Sequence, residues 1–262
     1  MAQASLFDFC RVDHWHSKLR LLEDLAIGED WQNREYNESV NNWQNPILEN
    51  YIRNTARRLF DLCELYPQEK DRWILFTDKQ CVFHTGLFTS QYTPIYGVMY
   101  YNKQLDGLNW SFAGYFKQTD KYLMQIKEFP EKAVYFDHIT DLIYDTRLEL
   151  RVNLAHILED EKNLERVPET IRNMPYLQSI FEGAIQIAKR KIEYDYKLAI
   201  PCYYDKRINF LIPLCLCDME TPDLALAVSK QADYYYGHTC LTLDMAYSNA
   251  RSISPPAGWL AR

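Results

Sequence analysis

Residues 177–217 read LQSIFEGAIQIAKRKIEYDYKLAIPCYYDKRINFLIPLCLC, and the change of rhythm inside this stretch decides the fold class. Leu177, Phe181, Ala184, Ala188 and Ile192 recur at three and four residues, the spacing of one helix face. Pro175 opens this helix, because an opening at Pro168 would leave a proline inside the first turns. Lys189, Arg190 and Lys191 stand in its last turns, where cations meet the negative end of the helix dipole. From Leu198 onward the helical period vanishes. Two apolar and aromatic runs, Leu198–Tyr204 and Ile208–Cys217, flank Asp205-Lys206-Arg207, which predicts a compact hairpin.

Outward from this junction the same signals alternate. Leu224–Val228 and Thr239–Leu243 predict strands around a polar, Tyr-rich connection, and Asp244–Ile253 a short closing helix. On the N-terminal side, Leu150–Leu164 carries Leu154, Ile157 and Leu158 at helical spacing, and Lys132–Phe136 predicts a strand. Ile95–Asn102 and Asn109–Phe116 flank a Leu-Asp-Gly turn at Leu105–Gly107, a hairpin signal. Trp73–Thr77 and Gln80–Phe83 pair around Asp78-Lys79. Asn45–Tyr66 reads as a helix capped by Asn45, with Pro46 in the first position and an apolar stripe from Ile47 to Cys63. Residues 1–45 read as a polar lead-in with one short helix near Ser17–Ile27. The order β, α, β places the chain in the α+β class, as an antiparallel sheet or partly open barrel with packed helices. With no linker visible, residues 1–70 form a helical extension and residues 71–262 one α+β domain.

Composition narrows the function classes. The chain has 262 residues, 47% hydrophobic and 25% charged, enough apolar surface to exclude a disordered whole. Tyrosine is abundant, at 20, and glycine scarce, at 8. No GxGxxG or GxxxxGK[ST] pattern occurs, so no cofactor is expected from a phosphate loop. A net charge of −7 excludes a broad basic surface, so any nucleic-acid contact is local. No run of eighteen apolar residues suggests a membrane span. Seven cysteines without a CxxC spacing read as reduced thiols in a cytoplasmic protein and imply no metal site.

Several strings carry a resemblance. They are Phe83-His84-Thr85-Gly86-Leu87, Asn153-Leu154-Ala155-His156-Ile157-Leu158, Ile200-Pro201-Cys202-Tyr203-Tyr204, Phe210-Leu211-Ile212-Pro213-Leu214, Pro222-Asp223-Leu224-Ala225-Leu226 and the most specific, Leu241 to Arg251, LTLDMAYSNAR. Together, over about Trp73 to Leu260, they resemble the domain of unknown function 3825. In multidomain proteins that family accompanies OST-HTH (LOTUS) domains, which are linked to RNA. The resemblance therefore implies an RNA or nucleotide context by association and no assigned activity. Its pattern has asparagine where His84 stands, glutamine followed by leucine near Asn209-Phe210, and asparagine at Ser248.

Four constellations could carry chemistry. Asn153 and His156, at i and i+3, would share a helix face, with His156 as general acid or base and Asn153 orienting it or holding a phosphate oxygen; the bland alternative is a half-buried histidine satisfied by the helix or a neighbouring backbone group. Lys189, Arg190, Lys191, Lys197, Lys206 and Arg207 outnumber Glu193, Asp195 and Asp205 and are interleaved with Tyr194, Tyr196, Tyr203 and Tyr204. Cations for phosphates and rings for bases are the components of single-strand binding, although a solvated helix end beside a Tyr-rich strand pair would look the same. Asp244, Tyr247, Ser248 and Arg251 would share a face, with Asn249 beside them, as a phosphate-binding arginine site or as a cap and an internal network. His84 and Thr85 would sit at a rim beside the turn at Gly86, and His84 could pair with His156. His14 and His16, and the row Asp137, Asp141 and Asp145, are weaker metal candidates.

The expectation is a nucleotide- or single-stranded-RNA-binding domain. Its site lies where the helix end at Lys189 and Arg190, the Tyr203–Arg207 hairpin and the Asp244–Arg251 segment, with Tyr247, Asn249 and Arg251, converge, and Asn153 and His156 face it; His156, Asn153 and Asp244 would carry any catalysis. A phosphodiesterase or nucleotide hydrolase using His156 is one alternative. A protein-interaction module presenting its tyrosines to a partner is another.

Overall fold

A computed structural model describes residues 6–32, 45–103 and 109–261. The chain divides into two compact units, Met1–Val134 and Tyr135–Arg262, each with its own sheet.

In the first unit the helices α1 (Leu6–Phe9), α2 (Trp15–Leu25), α3 (Pro46–Leu65) and α4 (Lys70–Trp73) precede four strands. These are β1 (Ile74–Phe76), β2 (Gln80–Phe88), β3 (Pro94–Tyr101) and β4 (Trp110–Lys117), an antiparallel meander in chain order. The turn expected at Leu105–Gly107 lies outside the described residues. The α3 stripe is buried from Ile47 through Leu48, Tyr51, Ile52, Ala56 and Leu59 to Leu62. It lies against β2, where Gly86, at φ +80°, leaves room that a side chain would take from the Tyr51 hydroxyl. Asn45 precedes α3 without capping it, because its carboxamide donates to Glu23 instead. On the other sheet face Val82, Tyr96 and Val98 pack with Leu123, Ile126 and Phe129.

Lys132–Phe136 is not a strand. The Val134 carbonyl accepts from the Arg58 Nε at 2.7 Å, and just before the segment the Glu131 N–H donates to the Arg72 carbonyl at 2.7 Å.

The second unit begins with β5 (Glu149–Val152) and continues through α5 (Leu154–Glu159), α6 (Glu161–Arg166), α7 (Glu169–Arg172) and α8 (Leu177–Tyr194). Then come β6 (Ile200–Tyr204), β7 (Arg207–Leu214), β8 (Leu224–Lys230), β9 (Tyr234–Leu241) and α9 (Leu243–Arg251). The strand order is β5-β9-β8-β7-β6, antiparallel except that β5 runs parallel to β9. The class is therefore α+β, with two open sheets, the second of them mixed, and no closed barrel among the described residues. The segment expected to be one helix over Leu150–Leu164 is a strand and two short helices. Leu150 and Val152 pair with Tyr235 and Gly237, and Asn153 and Asp160 each cap a new helix start. The Tyr-rich connection is likewise strand from Tyr234 on, since Tyr235 alternates inward between Tyr234 and Tyr236.

One core fills the space between α8 and the sheet. Phe181, Ala184, Ala188 and Ile192 meet Phe210, Ile212, Leu214, Leu226, Val228 and Tyr235. α9 packs against β6, β8 and β9. β7 and β8 are buried on both faces, which is why their sequences are continuous apolar runs and show no alternation. Pro213 falls past the end of β6, whose Ile200 pairs with Leu211, so its missing N–H removes no rung on that side.

Candidate functional site

Lys189, Arg190 and Lys191 do not form one patch, because successive helical residues point about 100° apart. The Lys191 ammonium donates to the Met219 carbonyl and stands 3.7 Å from the Cys215 sulfur. Arg190 is exposed. Lys189 lines a cavity of about 250 Å³ with Tyr144, Arg147, Glu149, Ile192 and Glu193. Arg147 grips Asp145 through Nε and Nη2, both at 2.8 Å, and these bonds hold that carboxyl down at about 2. Arg147 is far from Lys189 in sequence, and no local pattern links the two.

The β6–β7 hairpin closes through two residues, Asp205 and Lys206, with φ of +51° and +60°. Arg207 belongs to β7, paired with Tyr204, and not to the turn. The turn is fixed from inside by Asn209, 4% exposed, whose Nδ2 donates to the Tyr204 carbonyl at 2.9 Å and the Arg207 carbonyl at 3.2 Å. Strand alternation sends the two neighbouring tyrosines apart. Tyr203 packs its ring on Tyr135, centroids 4.9 Å apart, while Tyr204 is 62% exposed. At the other end of β6, Tyr194 is 94% exposed and Tyr196 47%, with Lys197 exposed beside them. Arg207 and Asp205 form an exposed ion pair at 3.6 Å, a contact of little strength in water. β6, about 13 Å from its first residue to its last, lies in the chain between these two clusters.

α9 is the opposite case. Thr242, not Asp244, caps it, its hydroxyl accepting from the Met245 N–H at 3.3 Å. Asp244, Tyr247, Ser248 and Arg251 do share a face, and that face is buried; Asp244 is 4% exposed and Arg251 7%. Asp244, Tyr247 and Arg251 are each engaged within the fold. Asn249 is half-buried. A buried charge is retained where it is paired, and the α9 face that carries the most specific string is turned to the interior.

Asn153 stands outside the helix it starts, and its Oδ1 accepts from the His156 backbone N–H at 3.3 Å. The two residues meet through that cap and not as side chains on one helix face. His156 is exposed, and no described side chain orients its ring.

His84 is not at a rim. It is 6% exposed, edge-on to Tyr96 and Phe88, and its Nδ1 accepts from the Gly86 N–H at 2.8 Å. Burial, helped by Lys132, pushes its imidazole down to about 4, so it stays neutral and able to accept. That bond is the one an asparagine Oδ1 makes to the residue two further on, which explains how histidine can replace the asparagine of the resembled pattern.

The metal candidates part in the same way. His16 Nε2 lies 3.5 Å from a Glu49 oxygen, Asp141 accepts from the His138 N–H, and Asp145 is taken by Arg147. Among the described residues no three or more His, Cys, Asp or Glu side chains are grouped to hold a metal ion. Among them, too, no helix is long and apolar enough to cross a membrane.

The sequence model of the family described as Domain of unknown function (DUF3825) matches residues 22–259. The match reaches from the end of α2 through both units, beyond the strings that begin near Trp73. No curated protein and no solved structure matches the chain.

Proposed function

The chain belongs to the family described as Domain of unknown function (DUF3825), whose description names no activity, and from that premise we propose that its second unit binds single-stranded RNA along β6. One observation carries this reading. On a chain of net charge −7, the locally cationic stretch 189–207 leaves three large rings bare, Tyr194, Tyr196 and Tyr204, beside the exposed Arg190, Lys197 and Arg207. An aromatic ring left in water contributes nothing to the core, whereas on a nucleic-acid surface it stacks a base while the cations meet phosphates. Two clusters on either side of a strand about 13 Å long suit an extended nucleic-acid strand better than one nucleotide. All seven cysteines are free thiols, which fits the reducing cytoplasm. A hydrolytic role for His156 has no such support, because the Asn153 carboxamide is spent on the backbone.

The test is titration of an oligouridylate of about 12 nucleotides at several salt concentrations. Affinity is expected to fall with salt, with a slope of about −0.7 per phosphate contact, and Arg190→Ala to shrink that slope by about one contact. A flat salt response overturns the proposal. RNA turnover that depends on His156 replaces it with the hydrolytic reading, and a protein captured through Tyr204 in place of RNA replaces it with the interaction reading.

A further inference from the structure

Resting on the RNA reading above, we infer that the binding surface continues from Tyr204 across the outer face of the second sheet, with Tyr234 and Tyr236 as base-stacking residues and Arg151 as a phosphate contact. The strand register puts these residues on one face. Cys202, Asn209, Ser229, Tyr236 and Arg151 are partners in turn across all five strands, and directly paired residues point to the same side of a sheet. Two positions nearer the β6–β7 turn, and therefore on that same side, Tyr204 pairs with Arg207 and Tyr234 with Glu149. The residues between them, Ile208, Tyr235 and Leu150, turn the other way into the core beneath α8. A contact independent of register agrees: the Arg151 guanidinium lies 4.2 Å from the centroid of the Tyr234 ring.

A sheet face that meets water is expected to carry polar side chains. β9 instead places a tyrosine at both outward positions of its first three residues, half-buried, while Tyr235 between them is fully buried in the core. α9 follows β9 from its far end, past Leu241. Asn209 and Ser229, which floor the row, are already hydrogen-bonded, to the β6–β7 turn and to the Gln231 carboxamide at 3.0 Å. Three strand spacings, about 14 Å, separate Tyr204 from Tyr234, and two residues along β9, about 7 Å, separate Tyr234 from Tyr236. Rings lying on a sheet with cations at their edge make a platform for unstacked bases. Arg151 and Arg207 frame it, their side chains 53% and 55% exposed. Each is held by an exposed carboxylate, Glu149 at 2.7 Å and Asp205 at 3.6 Å, pairings worth little in water that a phosphate can displace. The guanidinium beside Tyr234 complements a phosphate and the ring faces complement bases, so the occupant that suits this face is single-stranded RNA.

The experiment compares the full chain with Tyr234→Phe, Tyr234→Leu and Arg151→Gln, by oligouridylate titration, thermal unfolding and photo-cross-linking to a thiouridine-substituted oligouridylate. Tyr234→Phe keeps the ring and is expected to bind as the wild type does. Tyr234→Leu keeps apolar bulk without a stacking face and is expected to weaken binding about tenfold. Arg151→Gln is expected to reduce the salt slope by about 0.7, one phosphate contact, with an unfolding midpoint within about 2 °C of the wild type. Cross-links are expected at Tyr234 or Tyr236 as well as at Tyr204, and they read the site in the wild-type chain whether or not a variant folds. Cross-links confined to residues 194–204, with Tyr234→Leu and Arg151→Gln keeping full affinity and slope, overturn the inference and leave the RNA reading standing. The same result with a protein captured through Tyr234 gives this face to a protein partner instead. A wild-type chain that binds no oligonucleotide ends both.

Discussion

Helix α9 and the β6–β7 hairpin carry the two polar strings that a reader of this sequence picks out, and they sit at opposite extremes of exposure. Asp244, Tyr247 and Arg251 are buried and engaged, whereas Tyr204, Lys206 and Arg207 stand in solvent. The contrast separates two reasons for a polar string to be specific. Inside, each polar group needs a defined partner, which restricts the residue types at every position. At the surface the hairpin faces water, and its exposed rings and cations are open to a ligand. The string that is easiest to recognise is therefore not the one best placed to meet a ligand.

The largest test of that contrast is Arg251→Ala. Removing a buried, engaged guanidinium leaves whatever it meets unsatisfied, and the expected loss is about 3 kcal/mol of folding stability in urea unfolding. Any loss of RNA binding should then track the unfolded fraction. An Arg251→Ala protein with native stability and specifically impaired binding would move α9 into the functional surface and break the comparison.

Next in size is the acid response of His84, a buried polar group in the first unit. Its pKa is lowered from 6.5 to about 4 in the folded chain, mainly by desolvation and secondarily by Lys132. Between those values the unfolded chain binds the extra proton, so stability rises with pH and falls as the pH drops from 6.5 toward 4. By pH 5 the loss attributable to this group is about 2 kcal/mol. His84→Asn keeps an acceptor for the Gly86 N–H, and its stability is expected to lose that part of the pH dependence. Equal urea midpoints shifts for both proteins between pH 7 and pH 5 would refute the assignment.

On the exposed side, Tyr204→Ala is expected to leave stability within about 0.5 kcal/mol and to weaken oligouridylate binding by about tenfold, the loss of one stacked base. Tyr203→Ala reverses the pattern: its ring packs on Tyr135, so the change lowers stability first. Two adjacent tyrosines with opposite phenotypes would sharpen the contrast to a single residue. Equal binding losses without unfolding would erase it.

Much of this was legible in the residues, and the rest was hidden for identifiable reasons. The α3 and α8 stripes and the hairpins of both sheets follow from local periodicity, which a sequence displays directly. β5 was hidden because four residues pair with β9, more than eighty positions later, and nothing local announces a partner so distant. The α9 cap was displaced by two residues because Thr242 and Asp244 are both good capping types, and only the backbone decides between them. The alternation that parts Tyr203 from Tyr204 was present in the strand period. Burial of the Asp244–Arg251 face was not, since a polar helix face reads the same whether water or protein covers it.

The smallest predicted effect concerns Asn153 and His156. If the pair were an acid–base site, both single alanine variants would cost activity and neither would need to cost stability. The structure uses only the Asn153 carboxamide and the His156 backbone N–H, joined at 3.3 Å. Asn153→Ala is therefore expected to lose about 1 kcal/mol, the usual worth of a cap, and His156→Ala, which keeps its N–H, almost nothing. Both should bind RNA as the wild type does, because α5 stands apart in the sequence from the cationic stretch and presents no cation cluster of its own. Hydrogen exchange at the first turn of α5 reads the difference without any assay of function. Faster exchange in Asn153→Ala and unchanged exchange in His156→Ala would leave the histidine as a surface residue of a capped helix. Equal exchange, with a loss of RNA affinity or turnover confined to His156→Ala, would return it to the list of functional groups.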